Sequence, residues 1–261
     1  MKVVILAGGF GSRLSEETDY IPKPMVKIGE RPILWHIMKT YSQYGYNDFI
    51  ICCGYKGHVI KEYFSNYFLH SSDITIDMSK KAITYANDKL EPWKIKLIDT
   101  GLHTETGGRL KRLFKYLKDE QTFMLTYGDG ISDINISKLI EFHNSHGKLA
   151  TVTAVNPPSR FGALEIDATQ SVKKFTEKPI LQNNYINGGY FVLNTKVLEI
   201  ISGDSSIFEN EPLWELTKSN ELKAYKYNGF WHPMDTLRDK RYLERLWDNG
   251  DAPWKIRDFD V

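Results

Sequence analysis

Apolar residues fall along this chain in short unbroken runs, and between the runs they return at helical spacing. Residues 2–6 (KVVIL), 49–53 (FIICC), 95–99 (IKLID), 123–127 (FMLTY) and 149–155 (LATVTAV) are continuous or nearly so. A strand covered on both faces has no polar side to show, so such runs predict central strands of a buried sheet. Residues 32–44 open with Pro32 and place Ile33, Ile37, Tyr41 and Tyr44 at helical spacing. Proline suits a first helical position because its missing N–H has no intrahelical acceptor. Residues 56–68 predict an aromatic-rich helix. Residues 107–119 predict an amphipathic one, with Leu110, Leu113, Phe114 and Leu117 on one face and basic residues on the other. Residues 136–147 predict a helix closed by glycine. Strand and helix alternate, which is the pattern of an α/β protein with an open parallel sheet.

Two stretches break the pattern. Residues 71–94 hold short alternating pieces, ITID and AITYA, that predict small strands and read as an insertion. Beyond residue 156, FGALEID, SVKKFTEKP and YINGGYFVLN predict strands separated by turns, a mixed-sheet addition, with helices over 195–202 and 236–248. The boundary is soft. The expected organisation is an α/β core over 1–156 and a second part over 157–261, interlocked in one globule.

Composition narrows the function classes. The 261 residues suffice for one large domain with a full core. A formal net charge of +1 argues against a general nucleic-acid binder, which carries a basic face. No run approaches the ~20 apolar residues of a membrane span, and the N-terminal run is too short for a signal peptide. No membrane association and a cytoplasmic location are the default expectations. The two cysteines, Cys52 and Cys53, are adjacent and so point to opposite faces of a strand. They read as small buried thiols, with a vicinal disulfide as the alternative. His143 and His146 lie at i, i+3 with no third ligand nearby, and read as polar residues near a helix end rather than a zinc site.

The chemistry concentrates after the first strand. Leu6-Ala7-Gly8-Gly9-Phe10-Gly11-Ser12-Arg13 leads from an apolar run straight into glycines. Open α/β sheets bind ligands at the carboxyl ends of their strands, and residues without a Cβ let backbone N–H groups approach phosphate oxygens. The loop matches neither G-x-G-x-x-G, because Leu14 follows Arg13, nor a P-loop, which requires G-K-[ST]. A tight structural turn is the plain alternative. Arg13 and Lys23 weigh against it, since phosphates in a reaction need fixed cations, and Lys23 is stiffened between Pro22 and Pro24. Asp129, between Gly128 and Gly130 at a strand end, is a candidate magnesium ligand or an aspartate in a turn, and Asp235 is the second candidate. Glu177-Lys178-Pro179 again sets a lysine before a proline, fit for a second phosphate. Asn187-Gly188-Gly189 offers an amide and bare backbone to a polar ring.

These pieces, LAGGFGSRL, PKPM, GD, EKP, NGG and PMDT, stand in the order found in the sugar-1-phosphate nucleotidylyltransferase family, which the chain resembles over roughly residues 1–250. The strings FIICCGYKGHVIKEYF, TGGRLKR, TYGDG and GFWHPMDTLRDK resemble, more narrowly, the branch that acts on CTP and glucose 1-phosphate. The resemblance implies a Rossmann-like open mixed, mostly parallel sheet flanked by helices, with a smaller β-rich part that binds the sugar. It places the nucleotide on Leu6 through Arg13 and Lys23, with Thr104, Arg109 and Gly128 near cytosine and ribose. It places the sugar phosphate on Lys178, with Glu177, Asn187 and Gly189 at the hydroxyls, and Mg²⁺ on Asp129 and Asp235. Arg13 and Lys23 are the implied catalytic cations. One departure is visible: Ser12 stands where the family usually has threonine, and it keeps the hydroxyl.

The implied reaction is cytidylyl transfer from CTP to glucose 1-phosphate, giving CDP-glucose and pyrophosphate, as a supply for bacterial surface polysaccharide. The alternatives are another nucleotide or acceptor on the same fold, or a silent nucleotide-binding sensor that would have lost one of the charged residues. The resemblance also implies a homo-oligomer. The aromatic cluster at 63–69 and the 71–94 stretch are candidate subunit contacts or simply cover for the core.

Overall fold

The computed structural model describes residues 1–86, 90–157, 162–176 and 185–255, and for Arg13, Ser15 and Glu16 the backbone alone. Its centre is a seven-stranded sheet. The strands are β1 (Val3–Ala7), β2 (Asp48–Cys53), β3 (Lys94–Asp99), β4 (Thr122–Tyr127), β5 (Ala150–Val155), β6 (Ile186–Asn194) and β7 (Leu222–Tyr227). Their order is β7-β5-β6-β4-β1-β2-β3, and every pairing is parallel except the two made by β6. The continuous apolar runs are therefore central strands: all five residues of β1 are buried. IKLID does not follow them inward. It forms the edge strand β3 and stays partly exposed, having a neighbour on one side only.

YINGGYFVLN, expected in a separate mixed sheet, instead enters the centre as β6, between β4 and β5. It supplies the antiparallel member that makes the sheet mixed. Outside the sheet stand two-stranded hairpins, Asp73–Asp77 with Ala82–Ala86 and Ala163–Ile166 with Val172–Thr176. The first bears out the small strands read from ITID and AITYA.

Helices cover both faces. On one, α1 (Ile33–Ser42), α2 (Gly57–Ser65), α5 (Ile136–His146) and α6 (Leu237–Asp248) pack on Val3, Ile5 and Ala7. On the other, α3 (Thr106–Arg112) and α4 (Phe114–Leu117) pack with Phe208 and Leu216 on Val4 and Leu6. Cys53 joins the first layer and Cys52 the second, both as free thiols, and burial pushes both well above the usual thiol range. Pro32 precedes the first turn of α1 and pairs with Lys27, so the helix begins one residue later than its sequence predicts. The helix expected over 107–119 breaks at Leu113, where the backbone tightens to i→i+3 bonds, Leu113 N to Leu110 O and Tyr116 N to Leu113 O. The break rotates the following turn. Leu110, Leu113 and Leu117 stay buried while Phe114 turns to solvent. The 195–202 helix shrinks to one turn, Val197–Ile200, and α6 forms as expected behind a capping box of Thr236 and Asp239. His143 and His146 both bond the Thr151 hydroxyl, at 2.9 and 2.8 Å.

Candidate active site

β1 and β4 run side by side in parallel, so both deliver their last residues to one edge of the sheet. The Gly128 N–H donates to the Leu6 carbonyl at 2.9 Å and locks the two strand ends together. Above this edge lies a cavity of about 790 Å³. Residues 6–12, Lys23, Thr104, Arg109, Gly128, Asp129 and Asp235 line it. Gly189 lines it from β6.

Lys23 stands between Asp129 and Asp235. It opens a 3-10 turn, Lys23–Met25, entered from Pro22 in an extended conformation. The prolines fix that turn, and Lys23 is 6% exposed. Its ammonium donates to Asp129 Oδ2 at 2.6 Å and to Asp235 Oδ1 at 2.7 Å. Asp129 comes from the turn after β4. Asp235 follows the Trp231–Pro233 strand, which pairs with Gly130–Ser132, and the Met234 N–H bond to the Asp129 carbonyl at 2.8 Å ties the two segments together. Residues 106 and 212 positions away from Lys23 in sequence thus share one cation. Two carboxylates converging on a point inside a cavity are a donor set suited to a small divalent ion, which completes its shell with phosphate oxygens and water. Among the described residues no cluster of three or more metal-ligating side chains occurs, so phosphate and water must complete such a shell.

Arg109 lies against the glycine loop. From α3 its guanidinium donates to Gly8 O at 2.9 Å, Thr100 Oγ1 at 2.8 Å and Gly101 O at 2.7 Å, with longer contacts to the carbonyls of Cys53 and Leu102 at 3.4 Å. Burial lowers its pKa, yet a guanidinium stays protonated in proteins. Gly8 is glycine because of this residue: a Cβ there would stand 2.3 Å from Arg109 Nη1. The sequence reading attributed the bare backbone to an approaching phosphate, and for Gly8 the structure supplies a nearer cause. Gly9 meets nothing within 4 Å of an ideal Cβ and remains open to a ligand.

A third group lies toward β6. Tyr127 donates to Glu209 Oε1 at 2.5 Å, Thr106 donates to Glu209 Oε2 at 2.6 Å, and Asn187 Nδ2 donates to the Tyr127 hydroxyl at 3.1 Å. Burial, and then the Glu209 charge, drive the Tyr127 phenol pKa far above its usual value, so it stays protonated. Tyr127, Thr106 and Glu209 line the cavity, whereas Asn187 stands at its exposed rim. Sequence reasoning singled out neither Tyr127 nor Glu209. Tyr127 sits inside TYGDG and was within reach of it. Glu209 carries no motif, and only the fold brings it to the site.

Of the residues expected at the site, Leu6, Ala7, Gly8, Gly9, Phe10, Gly11, Ser12, Lys23, Thr104, Arg109, Gly128, Asp129, Gly189 and Asp235 share the one cavity. The Arg13 backbone lies in the 3-10 turn Ser12–Leu14, and its side chain falls outside what the structure describes. Glu177 and Lys178 lie outside the described residues.

The nucleotidyl transferase family profile matches residues 2–232. The chain belongs to the nucleotidyl transferase family. It is 58% identical over 255 residues to a glucose-1-phosphate cytidylyltransferase of Salmonella typhi, covering 98% of this chain and 99% of that one. It is 44% identical over 257 residues to a probable glucose-1-phosphate cytidylyltransferase of Bacillus subtilis, covering 98% and 100%. Among solved structures, HddC from Yersinia pseudotuberculosis complexed with GMP-PN superposes with a TM-score of 0.68 at 25% identity, covering 94% of this chain and 99% of HddC. The apolar runs predict an open parallel sheet and the family resemblance a mixed, mostly parallel one; the sheet is the mixed one, in a nucleotidyl transferase chain. Among the described residues no helix is long and apolar enough to cross a membrane.

Proposed function

We propose that this chain transfers the cytidylyl group of CTP to glucose 1-phosphate, releasing pyrophosphate and CDP-glucose. The observation that carries the reading is the convergence of Lys23, Asp129 and Asp235 in a cavity that the glycine loop and Arg109 also line. The names borne by the relatives at 58% and 44% identity support the choice of nucleotide and sugar.

The reaction needs little covalent help from the protein. A sugar-phosphate oxygen attacks the α-phosphorus of CTP, the new P–O bond forms, and the bond between the α-phosphorus and its bridge to the β-phosphate breaks. A phosphate monoester is already ionised at neutral pH, so no general base is required. The barrier lies in bringing two polyanions together in line, which is a matter of alignment and neutralisation. Lys23, held by two carboxylates, is a fixed positive charge in the cavity, and we assign it, with Arg13, to the triphosphate and the leaving pyrophosphate. Arg109 and Thr104 face the base and ribose, beside the backbone of residues 6–12 and Gly128. Lys178 and Glu177 are assigned to the phosphate and hydroxyls of the sugar, with Asn187 and Gly189 at its ring. Asp129 and Asp235 fit Mg²⁺, which when bound would neutralise phosphate charge.

The test is pyrophosphate release with Mg²⁺, glucose 1-phosphate and each of CTP, UTP, dTTP, ATP and GTP, with the product mass read in every reaction. Release with CTP and the mass of CDP-glucose is the expected result. Release with a different nucleotide, or with none, overturns the assignment.

The same reading includes self-association. Cross-strand pairing in the Asp73–Asp77 hairpin puts Ile74 opposite Tyr85 and Ile76 opposite Ile83, on one face, and all four are exposed. An isolated two-stranded hairpin is marginal in water. A second copy of the chain, covering that face, supplies the burial it lacks.

A further inference from the structure

Glu209 precedes the helix Glu211–Lys218, its carboxylate lines the cavity, and both its oxygens are engaged by hydroxyl donors. One oxygen holds Thr106, at the start of the helix that carries Arg109. The other holds Tyr127, the last residue of β4. The consequence lies in where protons must go. An ionised carboxylate only accepts, so the Tyr127 proton is committed to Glu209. The phenol oxygen then has only lone pairs to offer its remaining neighbour, and Asn187 must present its NH₂ there. The Asn187 carbonyl is fixed in turn by the Gly189 N–H at 2.8 Å. The amide therefore has one orientation, and among the described residues its second N–H has no partner, which leaves it to a ligand. Gly189, at φ +80°, leaves no room for a side chain beside the Tyr127 ring: a Cβ would stand 2.6 Å from Tyr127 Cδ2. The phenol and the Asn187 strand are in direct contact.

We propose that Glu209 is a positioning residue for the sugar half of the site: through Tyr127, and together with the Gly189 N–H, it holds the Asn187 amide that presents a hydrogen-bond donor to the sugar hydroxyls. The inference rests on the sugar-phosphate reading above. It places specificity for the acceptor partly in a residue that touches the nucleotide-side helix.

Glu209→Gln tests it because it keeps shape while reversing polarity. The Gln carbonyl still accepts from Thr106, which also keeps its bond from the Phe208 N–H. The Gln NH₂ then faces the phenol as a donor. The Tyr127 proton has to turn toward Asn187 Nδ2, donor against donor, so the amide loses its bond to the phenol and is held by the Gly189 N–H alone. Tyr127→Phe removes the relay itself. We expect Glu209→Gln to raise KM for glucose 1-phosphate about three- to tenfold, the effect of one hydrogen bond, with KM for CTP within about twofold of wild type. In the Tyr127→Phe background the same substitution adds nothing, because residues acting through one relay are not additive. Equal rises in both KM values, additive effects in the double variant, or an unchanged KM for glucose 1-phosphate in Glu209→Gln each overturn the proposal while leaving the reaction intact. A folded wild-type protein without turnover on glucose 1-phosphate overturns the reaction and this inference together.

Discussion

Replacing Lys23 by alanine removes a cation that Asp129 and Asp235 share, and two separate losses follow. The first is in stability. Lys23 makes contacts of 2.6 and 2.7 Å with carboxylates whose side chains are 29% and 12% exposed. Breaking a fully buried ion pair costs about 3–5 kcal/mol, because a charge is left without compensation. Here the cavity admits water to Asp129, so the cost falls to about 1–3 kcal/mol, the scale of an unmade charged hydrogen bond. For a chain of this size each kcal/mol shifts Tm by roughly 2–4 °C, which sets the expected drop at about 2–12 °C. The second loss is in rate. Removing one fixed donor to a developing phosphate charge typically costs about 10²–10³ in turnover. Pyrophosphate release with CTP and glucose 1-phosphate reads the rate, and thermal denaturation in a chelator reads the stability. The two are separated by Lys23→Ala/Asp129→Asn. Neutralising Asp129 relieves the repulsion, so the double variant should be more stable than Lys23→Ala and no more active. Turnover within threefold of wild type in folded Lys23→Ala refutes the catalytic role. A double variant that loses stability additively refutes the electrostatic account of this cluster.

Three further outcomes follow from other parts of the molecule. Gly8→Ala puts a Cβ 2.3 Å from Arg109 Nη1 and 3.0 Å from the Gly54 amide; displacing the guanidinium should raise KM for CTP about tenfold or more, with KM for glucose 1-phosphate little changed in the same assay. His36 is buried between Trp35 and Trp247, and burial lowers its pKa from 6.5 to about 4 while its Nε2 bonds the Ile28 carbonyl at 3.0 Å. The folded state thus favours the neutral ring, so its contribution is complete above pH 6.5 and is lost as pH falls toward 4; denaturant titration should show about 2 kcal/mol less stability at pH 5 than at pH 7.5 from this group, and His36→Gln should flatten that slope. Ile76→Lys with Ile83→Lys puts two charges on the apolar face of the hairpin, and light scattering should show a smaller assembly with unchanged secondary structure; an unchanged mass places the subunit contact elsewhere.

Much of the fold was legible because burial on both faces leaves a local signature. KVVIL and FIICC contain no alternation, and only a central strand of a layered protein tolerates that. What local pattern lacks is the partner. YINGGYFVLN read correctly as a strand, but nothing in its residues says that it pairs antiparallel with β4 and β5 inside the main sheet. Phe114 fits a helical stripe and still faces solvent, because the break at Leu113 arises from packing that the spacing cannot show. The site divides in the same way. Lys23 was marked by its prolines and Asp129 by its glycines, both local restraints. Glu209 has no local mark, since its importance comes from Thr106 and Tyr127, which lie 103 and 82 positions away in sequence.

The reversed strand explains why one edge of the sheet can serve both halves of the reaction. Parallel strands bring only their carboxyl ends to that edge, and β1 and β4 fill it with the glycine loop and with Asp129. β6 runs the other way, with Tyr190 opposite Thr126, so it brings its first residues there instead. Asn187 and Gly189 therefore stand beside Tyr127, while the same strand's apolar remainder, Tyr190 to Leu193, is buried in the core. Run parallel to its neighbours, this strand would leave the amide at the far edge of the sheet and the Tyr127 hydroxyl with no partner on that side. The antiparallel pairing that sequence periodicity did not disclose is thus what brings Asn187 and Gly189, which we assign to the sugar, to the same edge as Asp129.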